Sequence, residues 1–233
     1  MPCSCHRSRS RLSSYGSLNS SRTSLSDDSS NTSFSSDTSD YVFYQNKELK
    51  LGRLLGSGGF GSVYEGSCSG RKLAVKKLHD NQKNTRALSQ SFLAEKAVMF
   101  LRHRNIVRIL DTTTLRSNQL KKSERFVIME YAGNRNLLNV LNDENERLSR
   151  FDRLRYASDV ANALHHIHKL NIVHLDVKPA NIIVTNKNTC KLGDFGCCKV
   201  LPKSGQGSPT TPTNSNLTGT LAYTSPELLK GNY

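Results

Sequence analysis

The stretch His174-Leu175-Asp176-Val177-Lys178-Pro179-Ala180-Asn181 decides the fold, together with Asp194-Phe195-Gly196, which begins thirteen residues after Asn181. Both stretches place acidic, basic and amide side chains next to short apolar runs. A loop turn would explain any one of these residues, but chance rarely produces the joint spacing. The two stretches therefore predict one site that polar side chains from neighbouring loops build together.

The residue types in these stretches fit phosphoryl transfer to a hydroxyl group. That reaction needs a base or positioner for the hydroxyl, and Asp176 has the required carboxylate. It needs positive charge near the γ-phosphate, which Lys178 can supply. Magnesium prefers oxygen ligands, and Asn181 and Asp194 carry them.

A glycine-rich segment, Gly56-x-Gly58-x-x-Gly61-x-Val63, follows a predicted strand at 49–55. Glycines let the backbone approach phosphate groups with free amides. Dinucleotide-binding folds share this spacing, but they place a helix after the glycines and an acidic residue about twenty positions later. Here strand-like alternation and a tight turn follow. Asp80 comes near that spacing without ending the appropriate strand, so a dinucleotide fold is disfavoured.

Ala74-Val75-Lys76 lies fifteen residues beyond Gly61 in a predicted strand. A lysine beneath a glycine flap can hold α- and β-phosphate oxygens when a carboxylate fixes its position. Glu95 is the candidate, because it lies between apolar positions of a helix predicted over 86–102. The alternative is an ordinary strand lysine and a solvated helix glutamate.

The periodicity predicts an α+β chain, with a β-rich first lobe that carries one helix and a second, mainly helical lobe. Strands are expected at 49–55, 62–65, 71–78, 106–111 and 126–130, with an exposed polar loop at 115–125 and a mobile loop at 202–220. A helix is expected over 151–170, and its buried face should contain the apolar residues spaced by three or four: Leu154, Ala157, Val160, Ala161, Leu164 and Ile167.

Three regions are predicted along the 233 residues. Residues 1–40 hold sixteen Ser and three Thr and few large apolar groups, so we expect a disordered tail whose hydroxyls are either phosphorylated or passive. Residues 41–132 should form the first lobe and 133–233 part of the second. The tail is electrically neutral, so the whole net charge of +14 belongs to the folded part. Such charge indicates either polyanion partners or simply a solvated surface.

Composition excludes several classes of protein. The sequence has no run of 18 apolar residues, so no membrane span is expected. Its N-terminus has no apolar leader, so no secretory signal is expected. Residue 2 is proline rather than glycine, so N-myristoylation is not expected. The six cysteines form no C-x-x-C pair and no zinc-ligand spacing, so free thiols in a reducing compartment are expected.

Residues 49–233 resemble a eukaryotic protein kinase, because the glycine flap, Lys76, Glu95, the 174–181 loop, the 194–196 triplet and Ser225-Pro226-Glu227 occur in family order. Lys178 and Gly219-Thr220 resemble the serine/threonine branch. The resemblance implies ATP and Mg²⁺ as cofactors, with catalytic roles for Lys76, Glu95, Asp176 and Lys178 and metal ligation by Asn181 and Asp194. It assigns nucleotide binding to Leu55, Gly56, Ser57, Gly58, Gly59, Phe60, Gly61, Ser62, Val63, Ala74, Lys76, Glu130, Ala132 and Ile183.

Within that branch the chain is similar to a subfamily of cytoplasmic kinases that act upstream of MAP kinase in oocyte meiosis. The resemblance implies MAP kinase kinase as the protein substrate, a monomer, and neither nucleic-acid nor membrane partners. A different cytoplasmic serine/threonine kinase and a non-catalytic scaffold with the same fold remain as alternatives. Intact Lys76, Asp176, Asn181 and Asp194 argue against the scaffold. The net charge could also indicate a nucleic-acid-binding protein, but the sequence contains no RNA-binding motif of aromatic and basic residues.

The chain departs from the kinase pattern at several positions. Leu175 stands where regulated kinases carry the arginine that receives an activation-loop phosphate, so we expect activity without that phosphorylation. Ser208-Pro209 and Thr211-Pro212 resemble proline-directed phosphosites or are plain polar loop. Cys197 could be alkylatable or merely packed. The chain stops six residues after Glu227, so we expect uncovered apolar faces, an unpaired Glu227 and an inactive fragment.

Overall fold

The computed structural model describes residues 42–79, 85–117, 122–202 and 219–230. All of these residues belong to one compact unit, which spans Ser39–Tyr233. The predicted tail at 1–40, the phosphosites at Ser208 and Thr211, and most of the predicted mobile loop lie outside the described residues.

The first lobe is built on a six-stranded antiparallel sheet with the order β1-β2-β3-β4-β6-β5. Apolar side chains on its two faces enter two separate core clusters, because successive strand residues point to opposite faces. The strands are β1 (Val42–Tyr44), β2 (Lys47–Ser57), β3 (Gly61–Cys68), β4 (Arg71–Leu78), β5 (Ile109–Ser117) and β6 (Lys122–Glu130).

The first three predicted strands are confirmed. The predicted loop at 115–125 is wrong at 115–117 and 122–125, and its remaining residues, 118–121, lie outside the described part of the chain. Residues 115–117 end β5 and residues 122–125 begin β6, so the two strands form a hairpin. The polarity of this segment has a physical reason. Strand β5 is at the edge of the sheet, where a strand can expose polar side chains to water and still pair its backbone.

Four α-helices, three 3-10 turns of three residues each and five short strands complete the described structure. Helix α1 ends at Ala97, earlier than predicted, and Val98 and Leu101 are buried in the turn that follows. The helices are α1 (Thr85–Ala97), α2 (Leu137–Leu141), α3 (Arg150–His168) and α4 (Pro226–Leu229). The strands are β7 (Arg135–Asn136), β8 (Ile172–Val173), β9 (Ile182–Val184), β10 (Cys190–Leu192) and β11 (Lys199–Val200).

Helix α3 begins one residue and ends two residues before the predicted limits, and half of its predicted buried face is confirmed. Ile167 is buried, and Val160 and Leu164 are partly buried against the core. The other predicted positions, Leu154, Ala157 and Ala161, are exposed. The fully buried set is Tyr156, Asp159, Ala163 and Ile167. Two polar residues belong to it because both have partners: Asp159 Oδ2 accepts a hydrogen bond from the backbone N–H of Cys190, and Tyr156 donates to Asn188.

The apolar residues at the start of α3 and near α4 lie open, as expected for uncovered faces. Phe151 is 71% exposed, and Leu221, Tyr223 and Leu229 are exposed as well. Glu227 is also exposed. Among the described residues, no helix combines the length and apolar character needed to cross a bilayer.

The connection between α1 and β5 joins the first lobe to the second. Val107 donates its backbone N–H to the Leu192 carbonyl, and Leu192 donates to the Asn105 carbonyl. The buried Asn105 side chain donates to the Cys190 carbonyl over 2.9 Å. These bonds fix β10, and with it the residues that follow Leu192, against the first lobe.

Candidate active site

Lys76 is the centre of a buried charge cluster that draws on three distant parts of the chain. Its Nζ lies 2.9 Å from Glu95 Oε1 and 2.7 Å from Asp194 Oδ1. Lys76 is only 4% exposed, and Glu95 is fully buried. The predicted pairing of Lys76 with Glu95 is therefore present, and Asp194 completes the group. We call these three residues the Lys76 centre.

The pKa values of the Lys76 centre follow from burial and mutual attraction. Burial lowers the pKa of Lys76, but Glu95 and Asp194 outweigh it, so the lysine pKa is raised. Burial raises the pKa of Glu95 more than Lys76 lowers it. Burial also raises the pKa of Asp194, yet Lys76 reverses this and holds it below its ordinary value. Lys76 therefore stays protonated and Asp194 ionised at neutral pH.

Asp176 is the centre of a second polar cluster, most of which comes from one short stretch of chain. Its Oδ2 lies 2.9 Å from Lys178 Nζ and accepts a 2.9 Å hydrogen bond from the Asn181 side chain. Its Oδ1 accepts from the backbone N–H of Thr220 over 2.9 Å and from the Thr220 hydroxyl over 2.8 Å. Lys178 also donates to that hydroxyl over 2.5 Å. These four residues form the Asp176 centre.

His174 joins the two centres. It is buried, its Nε2 lies 3.0 Å from the Gly193 carbonyl, and its Nδ1 accepts from the backbone N–H of Asp176 over 3.3 Å. Burial lowers the pKa of His174, which favours the neutral ring with Nε2 protonated. Its ring meets Phe195 edge-on with centroids 4.8 Å apart. The ring therefore fixes the loop before Asp176 against the residues on either side of Asp194.

The backbone at 194–196 points the Asp194 side chain towards Lys76. Asp194 has a φ of 55°, in the left-handed region, and its Oδ1 accepts from the Gly196 N–H. A Cβ at Gly196 would come within 2.3 Å of the Ser91 hydroxyl. Any larger residue would have to displace the Ser91 side chain, because helix α1 packs directly against this turn.

The glycine-rich segment connects β2 and β3 above the Lys76 centre. A Cβ added at Gly56, Gly58 or Gly59 would meet nothing within 4 Å, so their backbone lies open to a ligand. At Gly61 the situation is opposite, since a Cβ would lie 2.5 Å from the Lys77 carbonyl. The tip of the segment is therefore open, whereas Gly61 packs tightly against the backbone of β4.

Five apolar residues that the family resemblance assigns to nucleotide binding belong to one cluster. Ala74 is buried in it, and four partly buried side chains pack against it: Leu55, Val63, Ala132 and Ile183. Glu130 ends β6, and its carboxylate accepts from the Arg108 backbone and contacts Lys191 Nζ at 2.7 Å. The Glu130 backbone N–H is used as well, since it donates to the Arg108 carbonyl over 3.0 Å.

Two oxygen-bearing side chains could hold a divalent cation. Asn181 donates its amide nitrogen to Asp176, which leaves its amide oxygen for a metal. Asp194 uses Oδ1 for Lys76, and its side chain is 38% exposed. Within the described parts of the chain, no group of three or more His, Cys, Asp and Glu residues could hold a metal. Two oxygen ligands nevertheless suit magnesium when phosphate groups supply the rest.

Sequence reasoning missed two contributors and left one question open that the structure answers. The sequence identified Thr220 only as part of the Gly219-Thr220 pair typical of the serine/threonine branch, and it did not identify His79, which contacts the glycine-rich segment. Both residues lie outside the helices and strands, so no periodic apolar pattern points to them. Cys197 is 6% exposed, and burial raises the pKa of its thiol to about 12. This cysteine is therefore a packed residue with a protonated thiol rather than a reactive one.

Comparison with family models matches residues 49–233 to the protein kinase domain. The serine/threonine-protein kinase mos of Patiria pectinifera is 45% identical over 187 residues, which cover 80% of this chain and 52% of that protein. The serine/threonine-protein kinase mos of Vultur gryphus is 39% identical over 199 residues, covering 79% of this chain and 98% of the relative.

The proto-oncogene serine/threonine-protein kinase mos of Mus musculus is 39% identical over 188 residues, which cover 76% of this chain and 53% of that protein. The chain thus spans about half the length of the Patiria and mouse relatives. The range matched to the domain model contains every residue of both polar centres.

Proposed function

Because this chain belongs to the protein kinase family, and within it to the Mos-type serine/threonine kinases, we propose that its protein transfers the γ-phosphoryl group of MgATP to serine and threonine hydroxyls of a protein substrate. The observation that carries this proposal is the Lys76 centre beside the Asp176 centre. One offers a fixed cation for anionic phosphate oxygens, and the other a carboxylate for the accepting hydroxyl.

The roles of the chain's own residues follow from their contacts. Asp176 orients the substrate hydroxyl and accepts its proton as the hydroxyl oxygen bonds to the γ-phosphorus. The bond from that phosphorus to the β–γ bridging oxygen breaks, and ADP leaves. Both carboxylate oxygens of Asp176 already have donors, so the hydroxyl must replace one of them. Lys178 neutralises charge on the transferred group, and Lys76 positions the triphosphate.

Magnesium supplies charge neutralisation on the phosphate oxygens when it is bound with ATP. Asn181 and Asp194 are the residues that would hold it, because each has an oxygen free of the hydrogen bonds described above. The open glycine backbone would cradle the phosphates. The cluster of Leu55, Val63, Ala74, Ala132 and Ile183 would enclose the adenine, whose edge would form hydrogen bonds with the Glu130 carbonyl as acceptor and with the Ala132 backbone.

The cellular role that we propose rests on the similarity to Mos-type kinases. In this proposal the protein is a cytoplasmic monomer that phosphorylates MAP kinase kinase during oocyte meiotic maturation. Activity without activation-loop phosphorylation stays a prediction based on Leu175, which has a φ of 64° and no charge to offer a phosphate.

The test is an in-vitro reaction of the full natural chain with inactive MAP kinase kinase and labelled ATP. Wild type should label the substrate, whereas Lys76→Met should not, because the triphosphate loses its positioning cation. Equal labelling by both proteins would reject the proposed role of Lys76. Labelling of a general substrate but not of MAP kinase kinase would reject only the substrate.

A further inference from the structure

The glycine-rich segment is tied to the end of β4 by His79, a residue outside the kinase motifs. His79 follows the last residue of β4, and its backbone N–H donates to the Phe60 carbonyl over 3.1 Å. Its side-chain Nε2 lies 3.0 Å from the Ser62 hydroxyl. The Ser62 hydroxyl lies 2.9 Å from the Ser57 hydroxyl. We call Ser57, Ser62 and His79 the loop relay.

The loop relay crosses three neighbouring strands in one row. Ser57 at the end of β2 is the direct partner of Ser62 on β3, and Ser62 is the direct partner of Lys77 on β4. His79 is therefore on the diagonal from Ser62, within the reach of an aromatic side chain. The relay closes the open end of the hairpin that carries Gly58 and Gly59.

The relay is on the face of the sheet opposite the proposed nucleotide site. Val63 pairs with Lys76, and both point towards the cleft, so Ser62 and Lys77 point the other way. Lys77 Nζ is 5.7 Å from the ring of Phe126, which belongs to the cluster on that opposite face. Bound nucleotide would therefore leave the relay intact.

We propose that His79 is a positioning residue that pre-orders the glycine-rich segment for nucleotide binding. This proposal rests on the proposed function. A hairpin tip of glycines loses much conformational freedom when it orders, which lowers affinity for any ligand that needs it ordered. The relay removes part of that cost before the nucleotide arrives. Its contribution should appear in nucleotide binding and KM for ATP rather than in the chemical step.

The hydrogen bonds of the relay can run in either direction, depending on which ring nitrogen of His79 carries the hydrogen. Nε2 without a hydrogen accepts from the Ser62 hydroxyl, whereas Nε2–H donates to it while Ser62 donates to Ser57. The serine hydroxyls turn to suit either direction.

The experiment measures amide hydrogen exchange of residues 57–62 and the dissociation constant for MgADP, using the full natural chain. His79→Ala should speed exchange and weaken MgADP binding by roughly 2- to 10-fold, since the hydrogen bond between the ring and the Ser62 hydroxyl is lost. The same variant should raise KM for ATP and leave kcat unchanged. His79→Gln should recover part of the loss, because its amide can still donate and accept. His168→Ala, which removes an exposed histidine from α3, is the matched control.

A double-mutant cycle separates the relay from unrelated effects. Ser62→Ala should reproduce the faster amide exchange of residues 57–62 seen in His79→Ala, and exchange in the double variant should be no faster than in either single one. Additive losses, or unchanged exchange of residues 57–62 in His79→Ala, would overturn the proposal. Hydrogen exchange and MgADP binding need no phosphoryl transfer. A wild-type chain without kinase activity would thus refute the proposed function and leave the relay to be decided separately.

Discussion

The Lys76 centre and the Asp176 centre differ in how the fold positions their charged side chains. Lys76, Glu95 and Asp194 come from a strand, a helix and a loop that are far apart in sequence, and Glu95 is fully buried. The Asp176 centre takes three of its four residues from positions 176–181. The first centre therefore depends on how the helix, the sheet and the 194–196 turn pack together, whereas local backbone geometry largely fixes the second.

The largest expected effect comes from the Asp176 centre. Asp176→Asn keeps the size of the side chain but removes the base, so kcat should fall by roughly 10²–10⁴-fold with little change in MgADP affinity. Steady-state kinetics and nucleotide titration check this. Asp159→Asn alters a carboxylate that caps the Cys190 backbone outside the cleft and serves as the control. A near-normal kcat for Asp176→Asn would remove the carboxylate from the mechanism.

Changes in the Lys76 centre should instead have their largest effect on the free energy of unfolding. Glu95→Ala leaves the buried lysine with Asp194 as its remaining partner, and losing one partner of a buried ion pair costs about 3–5 kcal/mol in unfolding free energy. Glu65→Ala is the matched control, because the partners of Glu65, Arg53 and Lys72, have side chains that are 61% and 49% exposed. Denaturant unfolding of both variants tests the contrast. Equal losses would show that burial does not distinguish the two pairs.

Substitutions of Thr220 test the contribution of the one member of the Asp176 centre that is distant in sequence. Thr220→Val removes the hydroxyl that donates to Asp176 Oδ1 and keeps the backbone N–H that does the same. Loss of one hydrogen bond to a charged group should lower kcat by roughly tenfold. Thr220→Ser keeps the hydroxyl and should remain close to wild type. A serine variant as slow as the valine variant would point to packing of the Thr220 methyl group.

The smallest expected effect concerns pH and His174, which connects the two centres. Burial lowers the pKa of folded His174 below the ordinary 6.5. At pH values between the two pKa values, the ring is therefore protonated in the unfolded chain and neutral in the folded chain. The stability contributed by the neutral ring is complete above pH 6.5 and is lost as the pH falls towards the lowered folded pKa. His174→Gln should flatten this dependence by at most about 1.4 kcal/mol per pH unit. An unchanged slope in unfolding titrations would contradict the lowered pKa.

The sequence revealed most of the site because its residues lie in contiguous motifs with fixed spacing. It located Lys76 and Glu95 on facing elements, and the structure brings them within 2.9 Å. It failed where tertiary packing decides. The buried face of α3 includes Asp159, whose partner is a backbone amide 31 residues away. Thr220 reaches Asp176 across 44 residues, and no local pattern predicts such a contact.

The edge strand shows a different limit of sequence reasoning. Thr112, Thr113 and Thr114 favour strands, but the basic residues that follow resemble a loop. Backbone pairing to β6 continues to Ser117 because an edge strand needs only one covered side. Polarity alone therefore could not separate an exposed strand from a loop.

The central claim is that both centres act on one magnesium-bound triphosphate. A crystal structure of the full natural chain with Mg²⁺ and a non-hydrolysable ATP analogue tests it most directly. We expect Lys76 Nζ to contact α- or β-phosphate oxygens, Asn181 and Asp194 to ligate the metal, and the Asp176 carboxylate to face the γ-phosphate. A nucleotide bound elsewhere, or a metal held by neither Asn181 nor Asp194, would contradict the claim.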